Sequence, residues 1–244
     1  MKDQFGRTID YLRISVTDKC NLRCAYCMPV EGLPWIPKDE VLSYEEITEI
    51  VRQMSGLGLR RVRLTGGEPL VRRDLAELVR KLRALEVLED ISLSTNAILL
   101  ADVAHELREA GVGRLNISLD TLRRDRFEDL ARRPGRFFDD TMTGIEAAEQ
   151  AGFRPLKINC VVMRGFNDDE MADFAAITRE RPWHVRFIEL MPTEGNLFLS
   201  DRFVSADELL GRLENAAELR PVEGPRGNGP ARYFQYPGAP GTVG

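Results

Sequence analysis

The chain has 244 residues, 43% hydrophobic and 30% charged, with 39 acidic against 34 basic side chains and a net charge of −5. It is long enough for one large α/β domain or two small ones with a sizeable core, and its charge excludes a protein that coats nucleic acid, whose footprint is basic. No apolar run reaches the roughly 18–20 residues that span a bilayer, so no membrane partner is expected. The start, MKDQFGRTIDYLRIS, has no apolar signal region, and few cysteines without an export signal point to a reducing, cytoplasmic setting.

In chain order, short alternating runs read as strands and the amphipathic stretches between them as helices. YLRISVT (11–17) precedes SYEEITEIVRQMSGLG (43–58), and RRVRLTG (60–66) precedes RRDLAELVRKLRAL (72–85). DISLSTN (90–96) leads to LLADVAHELREAG (99–111), and RLNISLD (114–120) to FFDDTMTGIEAAEQAG (137–152). PLKINCVVM (155–163) leads to DDEMADFAAITRER (168–181), and HVRFIELM (184–191) to SADELLGRLENA (205–216). The last 24 residues hold 5 Pro and 6 Gly, too interrupted for a long element, and are expected to wrap the fold as loops or short edge strands. Strands alternating with helices of this length pair in parallel through right-handed crossovers.

The six strands share one pattern. Leu12, Ile14 and Val16 oppose Arg13, Ser15 and Thr17; Val62 and Leu64 oppose Arg61, Arg63 and Thr65; Ile91 and Leu93 oppose Ser92, Ser94 and Asn96. Leu115, Ile117 and Leu119 oppose Asn116, Ser118 and Asp120, while Lys157, Asn159 and Arg186 continue the polar side. A doubly wound sheet buries both faces and reads as continuous apolar runs, which these are not. A half-exposed sheet with a wet polar face would read this way, but four cations on it, Arg13, Arg63, Lys157 and Arg186, are better explained by a wide or open barrel around a polar, anionic ligand. For any one of them a salt bridge is the commoner explanation; as a set they favour phosphate, which charge-assisted donors bind in a desolvated cavity.

The distinctive short motifs follow the carboxyl ends of strands, where parallel α/β folds build their sites. DKCNLRCAYCMPV (18–30) holds three of the chain's four cysteines, Cys20, Cys24 and Cys27. The spacing is C-x₃-C-x₂-C with no histidine nearby, the only two being His105 and His184. Structural zinc sites more often use two separated C-x₂-C pairs, whereas thiolate runs hold iron–sulfur clusters; three thiolates leave one iron of a 4Fe–4S cube open. Cys160 lies mid-strand and reads as a small core residue. In TGGEP (65–69), Gly66 and Gly67 allow close backbone approach, and Glu68 and backbone carbonyls can accept hydrogen bonds from a cationic amine.

Cys20-x₃-Cys24-x₂-Cys27 with Tyr26 between the last two, followed by TGGEP, resembles the signature of the radical S-adenosylmethionine superfamily, which implies a partial (β/α)6 TIM-like barrel with parallel strands. Within it YLRISVTDKCNLRCAYCMP, VRLTGGEPLVRRDL, LNISLDTL, KINCVVMRGFND and VRFIELMP are similar to the GTP 3',8-cyclase family of molybdenum cofactor biosynthesis, from about residue 7 to 192. The resemblance implies a 4Fe–4S cluster on Cys20, Cys24 and Cys27. It implies S-adenosylmethionine contacts from Tyr26, Gly67, Ser118 and Met191, with Gly66 and Glu68 in the amine-binding turn. GTP contacts fall on Arg13, Arg63, Ser94 and Lys157, and Arg186 would also face the triphosphate. The implied reaction is reductive cleavage of S-adenosylmethionine, hydrogen abstraction from C3' of the GTP ribose and attack of that carbon on C8 of guanine. Ser94 stands where Thr is usual, and Ala97 where Gly is usual.

That family carries a second three-cysteine cluster in a C-terminal segment, and its ligands are absent here, since the only cysteine after Cys27 is Cys160. The expectation is a partial barrel over 1–195 and a C-terminal extension over 196–244 that begins a truncated second-cluster region. Radical formation would then survive better than cyclisation. GTP and a one-electron donor are the expected partners; a homodimer is one candidate assembly, and the oligomeric state is not readable from the sequence. The alternatives are another radical S-adenosylmethionine enzyme, acting on a peptide or small molecule, and a non-catalytic metal-binding module.

Overall fold

The computed structural model describes residues 2–191, 197–216, 218–225 and 231–244. Its elements are β1 (Tyr11–Ser15), α1 (Tyr44–Gly56), β2 (Arg61–Thr65), α2 (Leu75–Arg83), β3 (Asp90–Thr95), α3 (Ala104–Ala110), β4 (Arg114–Ser118), α4 (Arg124–Ala131), α5 (Arg136–Gln150), β5 (Leu156–Val162), α6 (Met171–Ile177), β6 (Trp183–Glu189), α7 (Ala206–Ala216), β7 (Arg220–Val222), β8 (Tyr233–Gln235) and β9 (Thr242–Val243). Strand order follows the chain from β1 to β6, without the reversal of a doubly wound sheet. The fold is α/β, a partial barrel with a mostly parallel sheet. Among the described residues no helix is long and apolar enough to cross a membrane.

The chain divides into two compact units, one of Met1–Asn21, Pro34–Asn116 and Asp140–Phe153, the other of Leu22–Leu33, Ile117–Asp139 and Arg154–Gly244. In the first, parallel register sets Leu12 beside Val62 and Ile91, and Ile14 beside Leu64 and Leu93. These rows pack under the helices: Val62, Leu64, Leu93, Val51 of α1 and Leu78, Val79 and Leu82 of α2 are all fully buried. The same register lines up Arg13, Arg63 and Ser92 on the opposite face. Helix α1 begins at a reciprocal cap in which Glu46 N donates to Ser43 Oγ at 3.1 Å and Ser43 N to Glu46 Oε2 at 2.7 Å.

In the second unit β5 and β6 pair in parallel, with Ile158 beside Val185, Lys157 beside His184 and Asn159 beside Arg186. The C-terminal residues supply short strands, as expected: β9 lies parallel to β6, β8 antiparallel to β9, and β7 antiparallel to β8. Phe174 of α6 meets Phe187 edge-on at 6.3 Å. Helix α4 has no counterpart among the stretches read from sequence. Its RDRFEDLA holds only Phe127, Leu130 and Ala131 as buried residues, too few for a clear 3.6-residue stripe. The expected boundary at 195/196, and part of the Gly- and Pro-rich tail, lie outside the described residues.

Candidate active site

In the first unit the turn after β2 lies flat against the loop that leaves β1. Gly67 N donates to Thr17 O at 2.7 Å and Glu68 N to Lys19 O at 2.8 Å. A methyl group on Gly66 would sit 2.5 Å from Thr17 O, and one on Gly67 would run into the Lys19 carbonyl, 2.6 Å from its carbon and 2.7 Å from Asp18 O. Both positions therefore require glycine. The Glu68 side chain does not project into open space. Its Oε1 accepts from Leu70 N at 3.1 Å and Thr95 Oγ1 at 2.8 Å, and its Oε2 accepts from Asn96 N at 2.7 Å. It thus clamps the turn to the end of β3. Burial pushes Glu68 up to about 7, against the pull of those three hydrogen bonds.

Asn96 extends the clamp, donating from Nδ2 to Asn21 Oδ1 at 2.7 Å, next in sequence to Cys20, whose Sγ lies 3.9 Å from the same oxygen. Ala97 sits at φ 64, the left-handed region that costs a residue with a Cβ. On the polar face, Arg63 stacks over the Tyr11 ring at 5.5 Å and its Nε lies 3.5 Å from Ser92 Oγ. Its neighbour Arg61 is ion-paired to Asp10 at 2.6 Å. Arg13 is exposed and Ser94 half-buried.

In the second unit Cys24 and Cys27 sit in one tight turn, with Cys27 N and Met28 N both donating to Cys24 O at 2.9 and 3.0 Å. Arg23 N and Ala25 N bond the carbonyls of Ala131 and Leu130 at 3.0 and 2.9 Å, so the end of α4 holds the loop. Tyr26 OH donates to Asp120 Oδ2 at 2.8 Å, and Asp120 Oδ1 accepts from Val161 N at 2.8 Å. Asn167 Nδ2 bonds the Asp120 carbonyl at 2.6 Å. Burial raises Asp120 to about 6, and burial together with that carboxylate raises the Tyr26 phenol well above its ordinary value. Cys160 is buried in the core, as expected. Ser118 is exposed at the end of β4, and Met191 is exposed beyond β6.

The polar face of this unit carries Lys157, 6% exposed, and Arg186, whose Nε donates to Asn159 Oδ1 at 2.9 Å. Asp120, Asn96, Asn21, Asn159 and His184 were not assigned roles from sequence. The SLD and STN runs marked the first two as motif residues, but their partners lie 94 and 75 positions away, beyond any local pattern.

Among the described residues no three His, Cys, Asp or Glu side chains are gathered closely enough to hold a bare metal ion. Cys20 and Cys24 are half-buried, Cys27 is exposed, and none is in a disulfide. Three thiols in one loop, outside any disulfide, fit the donor chemistry of a thiolate-held iron–sulfur cluster, which brings its own sulfides and is wider than a single ion.

Residues 14–177 match the model of the radical SAM superfamily. The GTP 3',8-cyclase of Moorella thermoacetica is 48% identical over 244 residues, covering 100% of this chain and 75% of the relative. That of Heliobacterium modesticaldum is 50% identical over 246 residues, again covering 100% of this chain and 75% of the relative. Among solved structures, TYW1 with a lysine-pyruvate adduct bound shares the fold at TM-score 0.63 and 17% identity, covering 88% of this chain and 76% of that one. With a superfamily match through most of the barrel strands and close relatives along its whole length, this chain belongs to the radical SAM superfamily and, within it, to the GTP 3',8-cyclase family.

Proposed function

We propose that the protein is a radical S-adenosylmethionine enzyme that converts GTP to 3',8-cyclo-7,8-dihydro-GTP, the first step of molybdenum cofactor biosynthesis. The observation that carries the reading is identity of 48–50% with GTP 3',8-cyclases along the entire chain. Cys20, Cys24 and Cys27 would hold a 4Fe–4S cluster with one iron open to S-adenosylmethionine, and that pair supplies one-electron radical chemistry when bound. Tyr26, Gly66, Gly67, Glu68, Ser118 and Met191 would position S-adenosylmethionine. Arg13, Arg63, Ser94, Lys157 and Arg186 would bind GTP, the cations pairing with its phosphates.

The chain's own contribution is binding and orientation, since the cofactors supply the reactive species. Gly66 and Gly67 let the turn lie against the backbone of Thr17 to Lys19 more closely than any side chain would allow, which fixes the turn that would face S-adenosylmethionine. Glu68 contributes by holding that turn against β3, its oxygens already accepting three hydrogen bonds. A cation row on a polar strand face favours a polyphosphate over a neutral or peptide substrate, which sets this reading above that of a peptide-modifying relative. In domain terms the reading is a partial barrel over 1–195 followed by a C-terminal extension over 196–244. A one-electron donor is required, and the setting is cytoplasmic.

Anaerobic reconstitution with iron and sulfide tests the proposal, followed by iron counting and assay of deoxyadenosine and cyclised product with and without GTP. About four irons per chain, a brown protein and GTP-dependent product support it. A colourless, zinc-retaining protein refutes the enzyme reading, and deoxyadenosine formation indifferent to GTP refutes the substrate.

A further inference from the structure

The polar face of β6 carries a residue that the GTP reading leaves without a role. Register sets His184 between Lys157 of β5 and Thr242 of β9, and the two-residue period of a strand puts Arg186 on the same face. His184 Nδ1 lies 2.7 Å from Thr242 Oγ1, which commits that nitrogen and fixes the ring. Tyr233 of β8 meets the ring edge-on, centroids 6.2 Å apart at 77°. Among the described residues, register, hydrogen bonding and ring contact place two cations, one hydroxyl and one phenol ring around His184. Among the described residues no carboxylate is hydrogen-bonded or ion-paired to it.

We propose that His184 belongs to the polyphosphate site, contacting the ligand through Nε2 and taking up a proton from solvent as the ligand binds. The inference rests on reading Lys157 and Arg186 as polyphosphate contacts. Without ligand the ring is neutral: burial first, then the charges of Lys157 and Arg186, push it down to about 4. A polyphosphate reverses that field. It neutralises the two cations that repel a proton and offers oxygens to an imidazolium N–H, and charge-assisted bonds of this kind are the strong ones. Thr242 can serve both states, because its hydroxyl donates to an unprotonated Nδ1 and accepts from a protonated one.

Linkage then dictates the pH behaviour. A group whose pKa rises on binding makes the ligand bind more tightly as pH falls between the free and bound values, by up to roughly tenfold per pH unit. A site built only of permanent cations does the opposite, because the terminal phosphate loses charge as it protonates.

The test is calorimetric titration of the purified chain with inorganic tripolyphosphate, and in parallel with GTP, near pH 6 (about half a unit below an unperturbed histidine). Two buffers of different ionisation enthalpy report the protons taken up. His184→Asn keeps a hydrogen-bond partner for Thr242 and cannot titrate. The wild-type chain should take up a substantial fraction of a proton more than H184N and bind several-fold more tightly, with the two converging near pH 8, where free and bound histidine are closer to the same state. Equal proton uptake by the two overturns the proposal. So does a difference seen with tripolyphosphate and absent with GTP. If H184N fails to fold by melting, His184→Gln takes its place. A K157M/R186M variant that binds both ligands as tightly as wild type would instead overturn the underlying assignment of the cations, and the two failures are distinguishable.

Discussion

Replacing Glu68 with Gln should change the stability of the chain in opposite directions at low and high pH. The carboxylate is 2% exposed and accepts from Leu70 N, Thr95 Oγ1 and Asn96 N. The best placement of a Gln amide turns its oxygen to Asn96 N and its nitrogen to Thr95 Oγ1. That leaves the Leu70 N–H without an acceptor, at a cost of about 1–3 kcal/mol. Against this stands the burial of charge. A shift from 4.5 to about 7 corresponds to about 3 kcal/mol between protonation states. The raised pKa means that the folded chain holds a proton that the unfolded chain has lost between those values. Stability from this group is therefore present at low pH and lost as pH rises through about 7. The linkage relation gives a swing of about 2.5 kcal/mol between about pH 5 and pH 8. Glu68→Gln should thus be about 1 kcal/mol less stable than wild type at the lower pH and about 1 kcal/mol more stable at the higher. Urea unfolding of both chains at the two pH values reads the difference directly. Parallel profiles, or a swing of the opposite sign, would refute the assignment of a buried carboxylate whose proton is retained on folding.

Gly67→Ala should destabilise by about 1–3 kcal/mol, because both sides of the contact are backbone and cannot rotate away; an unchanged urea midpoint would contradict the close approach. Arg126 pairs with Glu170, which is 0% exposed and also accepts from Thr121 Oγ1 and Leu122 N. Arg126→Met should therefore cost about 2 kcal/mol, below the about 3–5 kcal/mol for breaking a fully buried pair because Arg126 is partly exposed and the other donors remain, measured by thermal melting. Cys160→Ala should cost about 1 kcal/mol as a buried small side chain and leave iron content unchanged. Ser in place of Cys20, Cys24 or Cys27 should remove most of the reconstituted iron with little effect on the melting of the iron-free chain.

Several of these residues illustrate how far local pattern reaches. The strand alternation placed Arg13, Arg63, Lys157 and Arg186 on one side of their strands, and register then aligned Arg13 with Arg63 and Lys157 with His184. Helix α1 was legible because SYEE is both a cap and an amphipathic start. Helix α4 was not, since its short buried face gives no clear period. Glycine at 66 and 67 suggested close approach, but which backbone approaches, Thr17 to Lys19, depends on β1 lying beside β2.

The amino-acid sequence by itself determined the alternation of strands and helices, the three clustered thiols, the polar strand faces and the family resemblance, because each is written in residue type and short-range spacing. Tertiary structure alone decided that Glu68 is a buried clamp on β3, that Asp120 receives Tyr26, and that His184 stands between Lys157 and Thr242. Those relations join residues 27, 94, 27 and 58 positions apart. Their partners are chosen by strand register and burial, and no periodicity along the chain encodes either.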